Sequence, residues 1–177
     1  PLALSEFQQL HSKEGEGKYY RGMARVFQFR SDYHKAIEYN NKALSLFEKA
    51  NNIQMMGNSN LDMGVCYYFL ANYVRANEYY LVAKKHYEKY NDSKALMLVI
   101  NNLAMINRAQ KKYTTAIDYY RMALYDQKNV KDSSAISKVL QGIGITYDLM
   151  LHSDSAIWYY KQALGINRRN NFLLGIA

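Results

Sequence analysis

The side chains that could perform catalysis or bind a metal are few and scattered. The chain has one cysteine, Cys66, and four histidines, His11, His34, His86 and His152. No two histidines have the HxxxH or HxH spacing that brings two imidazoles to one metal ion, and the acidic residues form no paired-carboxylate motif. No His or Asp is predicted beside Cys66 to activate its thiol, so we interpret it as a packing residue. The sequence therefore predicts no enzyme active site, no cofactor and no metal site.

The 177-residue chain is basic, with 23 Lys and Arg against 15 Asp and Glu and a net charge of +8. Such an excess attracts nucleic acid, anionic lipid or acidic peptides. We favour the simpler interpretation that the basic residues solvate helix surfaces. They form isolated pairs rather than a dense run, namely Lys84-Lys85, Lys111-Lys112 and Arg168-Arg169.

The sequence leaves the compartment open. No apolar stretch approaches the roughly 18 to 20 residues that cross a bilayer, so we predict no membrane span in this segment. A single cysteine cannot form an intrachain disulfide, which fits a reducing compartment without proving one. The chain shows no initiator Met and no targeting segment, and both a cytoplasmic and a periplasmic location fit it.

An internal repeat of 40 residues organises the chain. Three columns of small residues recur at this step: Ala24, Gly64, Ala104 and Gly144; Ala36, Ala76, Ala116 and Ala156; and Ala43, Ala83, Ala123 and Ala163. A fixed period of this length is the signature of a repeat architecture. Because Pro occurs only at position 1 and Gly is rare, the repeats are predicted to be helical throughout.

Each repeat is predicted to contain two helices, A and B, of about 16 to 18 residues. In helix A, Met63, Gly64 and Tyr67 share one face, and the small column lets helix B of the same repeat lie close. The second alanine column is expected to face helix A of the following repeat. Predicted turns fall at Ser31-Asp32, Asn72, Lys111-Lys112 and Ser153-Asp154, and predicted N-caps at Asn52, Asp92 and Asp132.

The tyrosines of helix B are predicted to pack rather than to bind a ligand. The chain has 18 Tyr, and Tyr-Tyr pairs occur at 79-80, 119-120 and 159-160. The second member of each pair lies in the core column of helix B. The first members lie about 100° around the helix. Together with Tyr39, they are expected to fill the gap between repeats.

This column pattern resembles the tetratricopeptide repeat. Unit two shows the pattern as Met63-Gly64, Tyr67, Ala76, Tyr80 and Ala83, and unit four as Leu140, Ile143-Gly144, Tyr147, Ala156, Tyr160 and Ala163. The common family unit has about 34 residues, whereas this one has 40. The longer unit is similar to the arrays of kinesin light chains, cell-polarity adaptors and bacterial peptide-responsive regulators, and to sensor segments of Bacteroidetes regulators.

The resemblance implies an all-α fold, an α-α superhelix of antiparallel helix pairs. We expect one array over residues 1–177. The expected full repeats are 13–52, 53–92, 93–132 and 133–172, with residues 1–12 ending a preceding repeat and residues 173–177 starting a further helix A. Since neither end resembles a polar capping helix, we interpret the chain as an excerpt from a longer protein.

The resemblance also implies that the A helices line a concave surface that binds a peptide. Arg21 and Arg25 are expected to anchor an acidic group. The family's clamp for chaperone tails is not reproduced, because its columns hold residues such as Asp62 and Leu98. The expected binding residues are Lys18, Arg21, Arg25, Asn58, Leu61, Tyr68, Phe69, Asn101, Met105, Arg108, Lys138 and Gln141.

The expected function is a non-catalytic scaffold that binds a protein or peptide segment with an acidic group. The chain is expected to be the sensor or interaction segment of a larger signalling or transcriptional regulator. Two alternatives remain. The first is a nucleic-acid-binding basic repeat, which is disfavoured because base stacking on the tyrosines needs basic neighbours on the same face. The second is a module that mediates self-association through exposed apolar ends.

Overall fold

The computed structural model describes Ser5, residues 12–125 and residues 132–169. Over these residues all regular secondary structure is helical, which confirms the predicted all-α fold class. The chain divides into two compact units, Pro1–Asn91 and Asp92–Ala177. The first contains α1 (Lys13–Phe29), α2 (Tyr33–Lys49), α3 (Ile53–Phe69) and α4 (Tyr73–Tyr90), and the second contains α5 (Ser93–Ala109), α6 (Tyr113–Tyr125), α7 (Ser133–Leu149) and α8 (Ser153–Arg169).

The helices recur at the predicted step. The A helices α1, α3, α5 and α7 begin at residues 13, 53, 93 and 133, which are 40 residues apart. Each packs against the B helix that follows it, so every unit holds two helical hairpins. The division of residues 1–177 into one array of repeats stays a prediction. The predictions for residues 1–11 and 173–177 lie outside the described residues, apart from Ser5.

Side-chain caps fix the starts of the helices. Asn52, Asp92 and Asp132 each accept a hydrogen bond from the backbone N–H three residues later, at 3.0 Å, which confirms all three predicted N-caps. Such a bond satisfies an amide that has no partner within the helix. Asp32 and Asn72 cap α2 and α4 in the same way.

The turns after the helices use a left-handed backbone without glycine. The residues with positive φ include Ala71 at 56°, Lys111 at 60° and Leu151 at 62°. The turn predicted at Ser153-Asp154 is wrong, because α8 already begins at Ser153 and the chain turns at residues 150–152 instead. Left-handed φ is costly for a branched apolar residue, so Leu151 gives no sequence signal of the turn it makes.

Small residues allow close packing within each unit, as the sequence predicted. In unit 1, a Cβ added to Gly64 would collide with the ring of Tyr80, which lies on the other helix of the same hairpin. In unit 2, a Cβ on Gly144 would lie 2.6 Å from the ring of Tyr160. Ala123 shares a buried cluster with Val139 of the following helix A, as expected for the second alanine column.

The tyrosines pack partly as predicted. The core-column residues Tyr80 and Tyr120 are 2% and 0% exposed, whereas Tyr160 is 36% exposed. The expectation that the first members of the pairs fill the gap between repeats is wrong for two of them. Tyr79 stacks on Tyr67 and Tyr159 stacks on Tyr147, in both cases within a single hairpin. These rings therefore join the two helices of one repeat. Tyr39 does the same by stacking on Phe27.

None of the helices in the described residues combines the length and apolarity that a membrane span requires.

Candidate functional site

We define the A face as the side of the A helices opposite their buried residues. Every candidate binding residue except Leu61 is at least partly exposed. On α5, the buried residues include Val99, Ile100 and Leu103, and they occupy one side of the helix. Leu98, by contrast, is 45% exposed. Because the helix period is 3.6 residues, Leu98 lies on the side opposite this core, where Asn101 and Met105 also fall. Each unit has its own A face, built by α1 and α3 in unit 1 and by α5 and α7 in unit 2.

The predicted basic end of the surface is partly neutralised within unit 1. Lys18 pairs with Glu14 one turn away, at 2.5 Å. The Nε atom of Arg21 lies 2.8 Å from an Oδ2 atom of Asp62, and this ion pair joins α1 to α3. Arg25 is exposed, and no carboxylate among the described residues lies within ion-pair distance of it. Of the three predicted cations, only Arg25 is therefore ready to meet an acidic ligand.

Asp62 also belongs to this surface, although the sequence did not predict it as a binding residue. Its side chain is 14% exposed and that of Arg21 is 21% exposed. Burial raises the pKa of Asp62, and the charges of Arg21 and Arg25 oppose that rise. Because the pKa of Asp62 is raised overall, desolvation of the carboxylate outweighs its attraction to the two guanidinium groups.

The remaining predicted residues of unit 1 differ in accessibility. Asn58 is half-buried and accepts a hydrogen bond from the Tyr87 hydroxyl at 2.8 Å. Leu61 is 8% exposed, so little of it can be touched from outside. Phe69 is 59% exposed and stacks on Tyr33 of α2, with ring centroids 5.2 Å apart.

Tyr68 extends this contact into a row of rings. It meets Phe69 edge to face at 5.6 Å and Tyr73 at 5.7 Å. The row therefore runs Tyr33, Phe69, Tyr68, Tyr73, from α2 through the end of α3 to the start of α4. Tyr33 and Tyr73 lie at the starts of B helices, and the turn geometry brings them against Phe69 and Tyr68.

The A face of unit 2 carries amides and apolar side chains. Asn101 donates a hydrogen bond to the Met105 sulfur at 3.6 Å, and Gln141 donates to Ser137 Oγ at 3.3 Å. Both bonds are long and stay within one helix. Ile145, from the same surface of α7, is 40% exposed.

The two basic residues of unit 2 face different surroundings. Lys138 is exposed. Arg108 is half-buried, and its Nη1 donates a hydrogen bond to the Tyr120 hydroxyl at 3.1 Å. Because Tyr120 is fully buried, this bond ties Arg108 to the core of its own hairpin. Lys138 is therefore the freer of the two charges.

The described residues contain no group of three or more His, Cys, Asp or Glu side chains that could hold a metal ion. Burial, together with the nearby Asp62 carboxylate, raises the pKa of the Cys66 thiol to about 12. The thiol therefore stays protonated at neutral pH, where a protonated sulfur is a poor nucleophile. This agrees with the interpretation of Cys66 as a packing residue.

Comparisons with known proteins identify relatives of this fold. The tetratricopeptide repeat family model matches residues 93–169, and no curated protein sequence matches the chain. Aspartyl phosphate phosphatase F from Bacillus subtilis superimposes with a TM-score of 0.86 at 12% identity over 92% of this chain. The Rap conjugation gene regulator of plasmid pLS20, solved in complex with the Phr* peptide, superimposes with a TM-score of 0.78 at 15% identity over 88%.

Kinesin light chain repeats from Podosopora anserina also share the fold, with a TM-score of 0.73 at 13% identity over 96% of this chain and 83% of their own. The chain spans only 43% of the Bacillus phosphatase and 42% of the plasmid regulator. At these identities the likeness establishes a shared fold.

Proposed function

Because residues 93–169 of this chain match the tetratricopeptide repeat and nearly the whole chain shares the fold of such proteins, we propose that it is a non-catalytic scaffold that binds a protein or peptide segment on its A faces. We further propose that it is the sensor or interaction segment of a larger signalling or transcriptional regulator. The plasmid regulator solved with a peptide supports both proposals. The long-unit subclass and the likeness to Bacteroidetes regulators are part of this proposal.

The main support for the proposal is the A face of unit 2. Asn101 and Gln141 make only long hydrogen bonds within their own helices, so a ligand backbone can replace those bonds at little cost. An amide side chain offers both a donor and an acceptor, which is what a peptide bond requires. Leu98 and Ile145 stand exposed beside these amides and supply apolar contact. Met105 adds an adaptable side chain at the same surface.

The A face of unit 1 offers a charged anchor of its own. Arg25 is exposed, and it is the residue that we propose to meet an acidic group of the ligand. Arg21 can join it only by leaving the carboxylate of Asp62. The aromatic residues Tyr68 and Phe69 offer neighbouring apolar contact.

The test is a random-peptide display selection against the full chain, followed by fluorescence anisotropy with the selected peptides. We expect Leu98→Glu and Ile145→Glu each to weaken binding by about tenfold or more, because a charge would replace exposed apolar contact at the centre of the surface. Met122→Glu is the matched control, since Met122 is 51% exposed but belongs to α6, a helix B.

Equal losses in all three variants, or a selection that enriches no peptide, would reject the peptide-binding proposal. The anchor is tested separately with Arg25→Glu. Unchanged affinity in that variant would remove the anchor role from Arg25 and leave the role of unit 2 in place.

A further inference from the structure

Four buried side-chain atoms within the described residues make no hydrogen bond: Arg21 Nε, Asn40 Oδ1, Ser59 Oγ and Asp62 Oδ2. All four belong to unit 1, on α1, α2 and α3. The Arg21 and Asp62 atoms lie 2.8 Å apart and form an ion pair, whereas Asn40 Oδ1 and Ser59 Oγ have no such contact in the described part of the chain. Asn40 and Ser59 are 1% and 0% exposed. We call these four residues the polar seam.

The repeat register shows which contact the polar seam replaces. The positions 80 residues further along are Asn101, Tyr120, Val139 and Gly142. In unit 2 the ring of Tyr120 packs so closely against Gly142 that a Cβ added there would lie 2.6 Å from the ring. Tyr120 and Val139 also belong to one buried cluster. These residues join α6 to α7 through an apolar contact. In unit 1, where α2 packs on α3, the same positions hold Asn40, Ser59 and Asp62.

The polar seam should make the joint between α2 and α3 weak. A buried polar group without a hydrogen bond loses its hydration and gains no protein contact in return. In repeat proteins, stability is approximately the sum of the stabilities of the repeats and of the joints between neighbours. Two of the four atoms, Asn40 Oδ1 and Ser59 Oγ, have no partner among the described residues. The other two belong to the Arg21–Asp62 ion pair, in which desolvation of the carboxylate outweighs its attraction to the guanidinium. A joint built from these groups therefore opens more readily than its apolar counterpart.

We propose that the polar seam is a conformational joint: the α1–α2 hairpin undocks from α3 as a unit while α3 and α4 stay folded. Undocking hydrates Asn40, Ser59 and Asp62, and it separates Asp62 from Arg21. Once undocked, the α1–α2 hairpin loses its packing on α3 and opens as one unit, because the contact of Phe47 with Gly17 is then without support from α3. The α3–α4 hairpin stays folded through the contact of Tyr80 with Gly64.

Hydrogen exchange of the full chain, followed by mass spectrometry, tests this joint. In the wild-type chain, we expect amides of α1 and α2 to exchange together and at least about tenfold faster than those of α3 and α4, as a separate cooperative unit would. The decisive variant carries Arg21→Asn, Asn40→Tyr, Ser59→Val and Asp62→Gly, which transplants the apolar contact of unit 2. By the repeat register, a tyrosine at position 40 should pack near Ala24, since Tyr120 and Ala104 share one buried cluster in unit 2.

The transplant should slow exchange in α1 and α2 by about tenfold or more, which corresponds to a change of about 1.4 kcal/mol in the opening equilibrium. The single variant Asn40→Tyr should not slow exchange, because without the glycine at position 62 its ring would meet the side chain of Asp62. If the transplant folds, as judged by circular dichroism, and exchange in α1 and α2 is unchanged, the proposal is rejected. It is also rejected if the wild-type α1–α2 amides exchange no faster than those of α3 and α4.

The reverse transplant keeps the proposal testable if the first variant does not fold. Asn101→Arg, Tyr120→Asn, Val139→Ser and Gly142→Asp place the polar seam in unit 2. We expect faster exchange in α5 and α6, the equivalents of α1 and α2, by a similar factor. Unchanged exchange there would show that polar residues at these positions do not loosen a joint, and it would overturn the proposal.

Discussion

Replacing Gly64 with alanine tests how tightly the two helices of a hairpin pack. A Cβ at this position would collide with Cδ1 and Cε1 of Tyr80 and would lie 3.1 Å from its Cγ. Tyr80 is 2% exposed, so its ring has no free space into which it can move. Either the ring must leave its preferred rotamer or α3 and α4 must move apart.

Two opposing effects set the magnitude. Overpacking a close-packed core costs about 1–3 kcal/mol. Alanine in the middle of a helix gains about 0.5–1 kcal/mol over glycine. The difference is a net destabilisation of about 1 kcal/mol for Gly64→Ala, which would lower the melting temperature by roughly 2–4 °C in a protein of this size.

Gly22→Ala is the matched control, because a Cβ on Gly22 meets no heavy atom within 4 Å. Only the helix-propensity gain applies there, so this variant should be more stable than the wild type by about 0.5–1 kcal/mol. Chemical denaturation followed by circular dichroism measures both variants. If Gly64→Ala proves as stable as Gly22→Ala, the close contact with Tyr80 does not exist. Adding Tyr80→Leu should reduce the cost of Gly64→Ala, which a double-mutant cycle would detect.

Three further predictions concern other parts of the molecule. Ala116→Leu should destabilise unit 2 by about 1–3 kcal/mol, because Ala116 is 0% exposed in a packed cluster; a thermal melt with no loss would refute its placement. Leu151→Gly should stabilise the protein by up to about 1 kcal/mol in urea titrations, because Leu151 has a φ of 62°; an unchanged midpoint would contradict this. Because the pKa of Asp62 is raised from 3.8, its proton is held more tightly in the folded state, so the free energy of unfolding should fall as pH rises through the folded-state pKa. Asp62→Asn should remove that pH-dependent component, and identical pH profiles of the variant and the wild type would refute the assignment.

The sequence was sufficient to predict the helices because local signals and the repeat period agree. Asn52, Asp92 and Asp132 are good caps, and each stands at the start of a helix A. The turn at Leu151 has no local signal, since leucine is not a turn-forming residue, and only the repeat register indicates it: Ser31, Ala71 and Lys111 at the equivalent positions also have positive φ. Likewise, Tyr79 packs on Tyr67, a contact that depends on the angle between two helices.

The candidate site was less predictable because it depends on contacts between neighbouring A helices. The register places Arg21 and Arg25 on one side of α1, but it does not show that Asp62 of α3 pairs with Arg21. These residues occupy different columns of the repeat, so comparing equivalent positions cannot reveal the pair. The same limit applies to Arg108, which the sequence assigned to the surface and the structure ties to Tyr120.

Arg21 belongs both to the A face and to the polar seam, and this couples the two proposals energetically. An acidic ligand that engages Arg21 competes with Asp62 for the same guanidinium, so binding would remove the attraction that offsets the buried carboxylate. Coupling between two equilibria is reciprocal. A change that opens the seam must therefore favour binding of such a ligand by the same free energy by which the ligand favours opening. The transplant removes both Arg21 and Asp62 and closes the seam, whereas Arg25→Glu changes only the exposed surface. Measuring peptide affinity and hydrogen exchange in both variants therefore separates an anchor at Arg25 from a joint that responds to the ligand through Arg21.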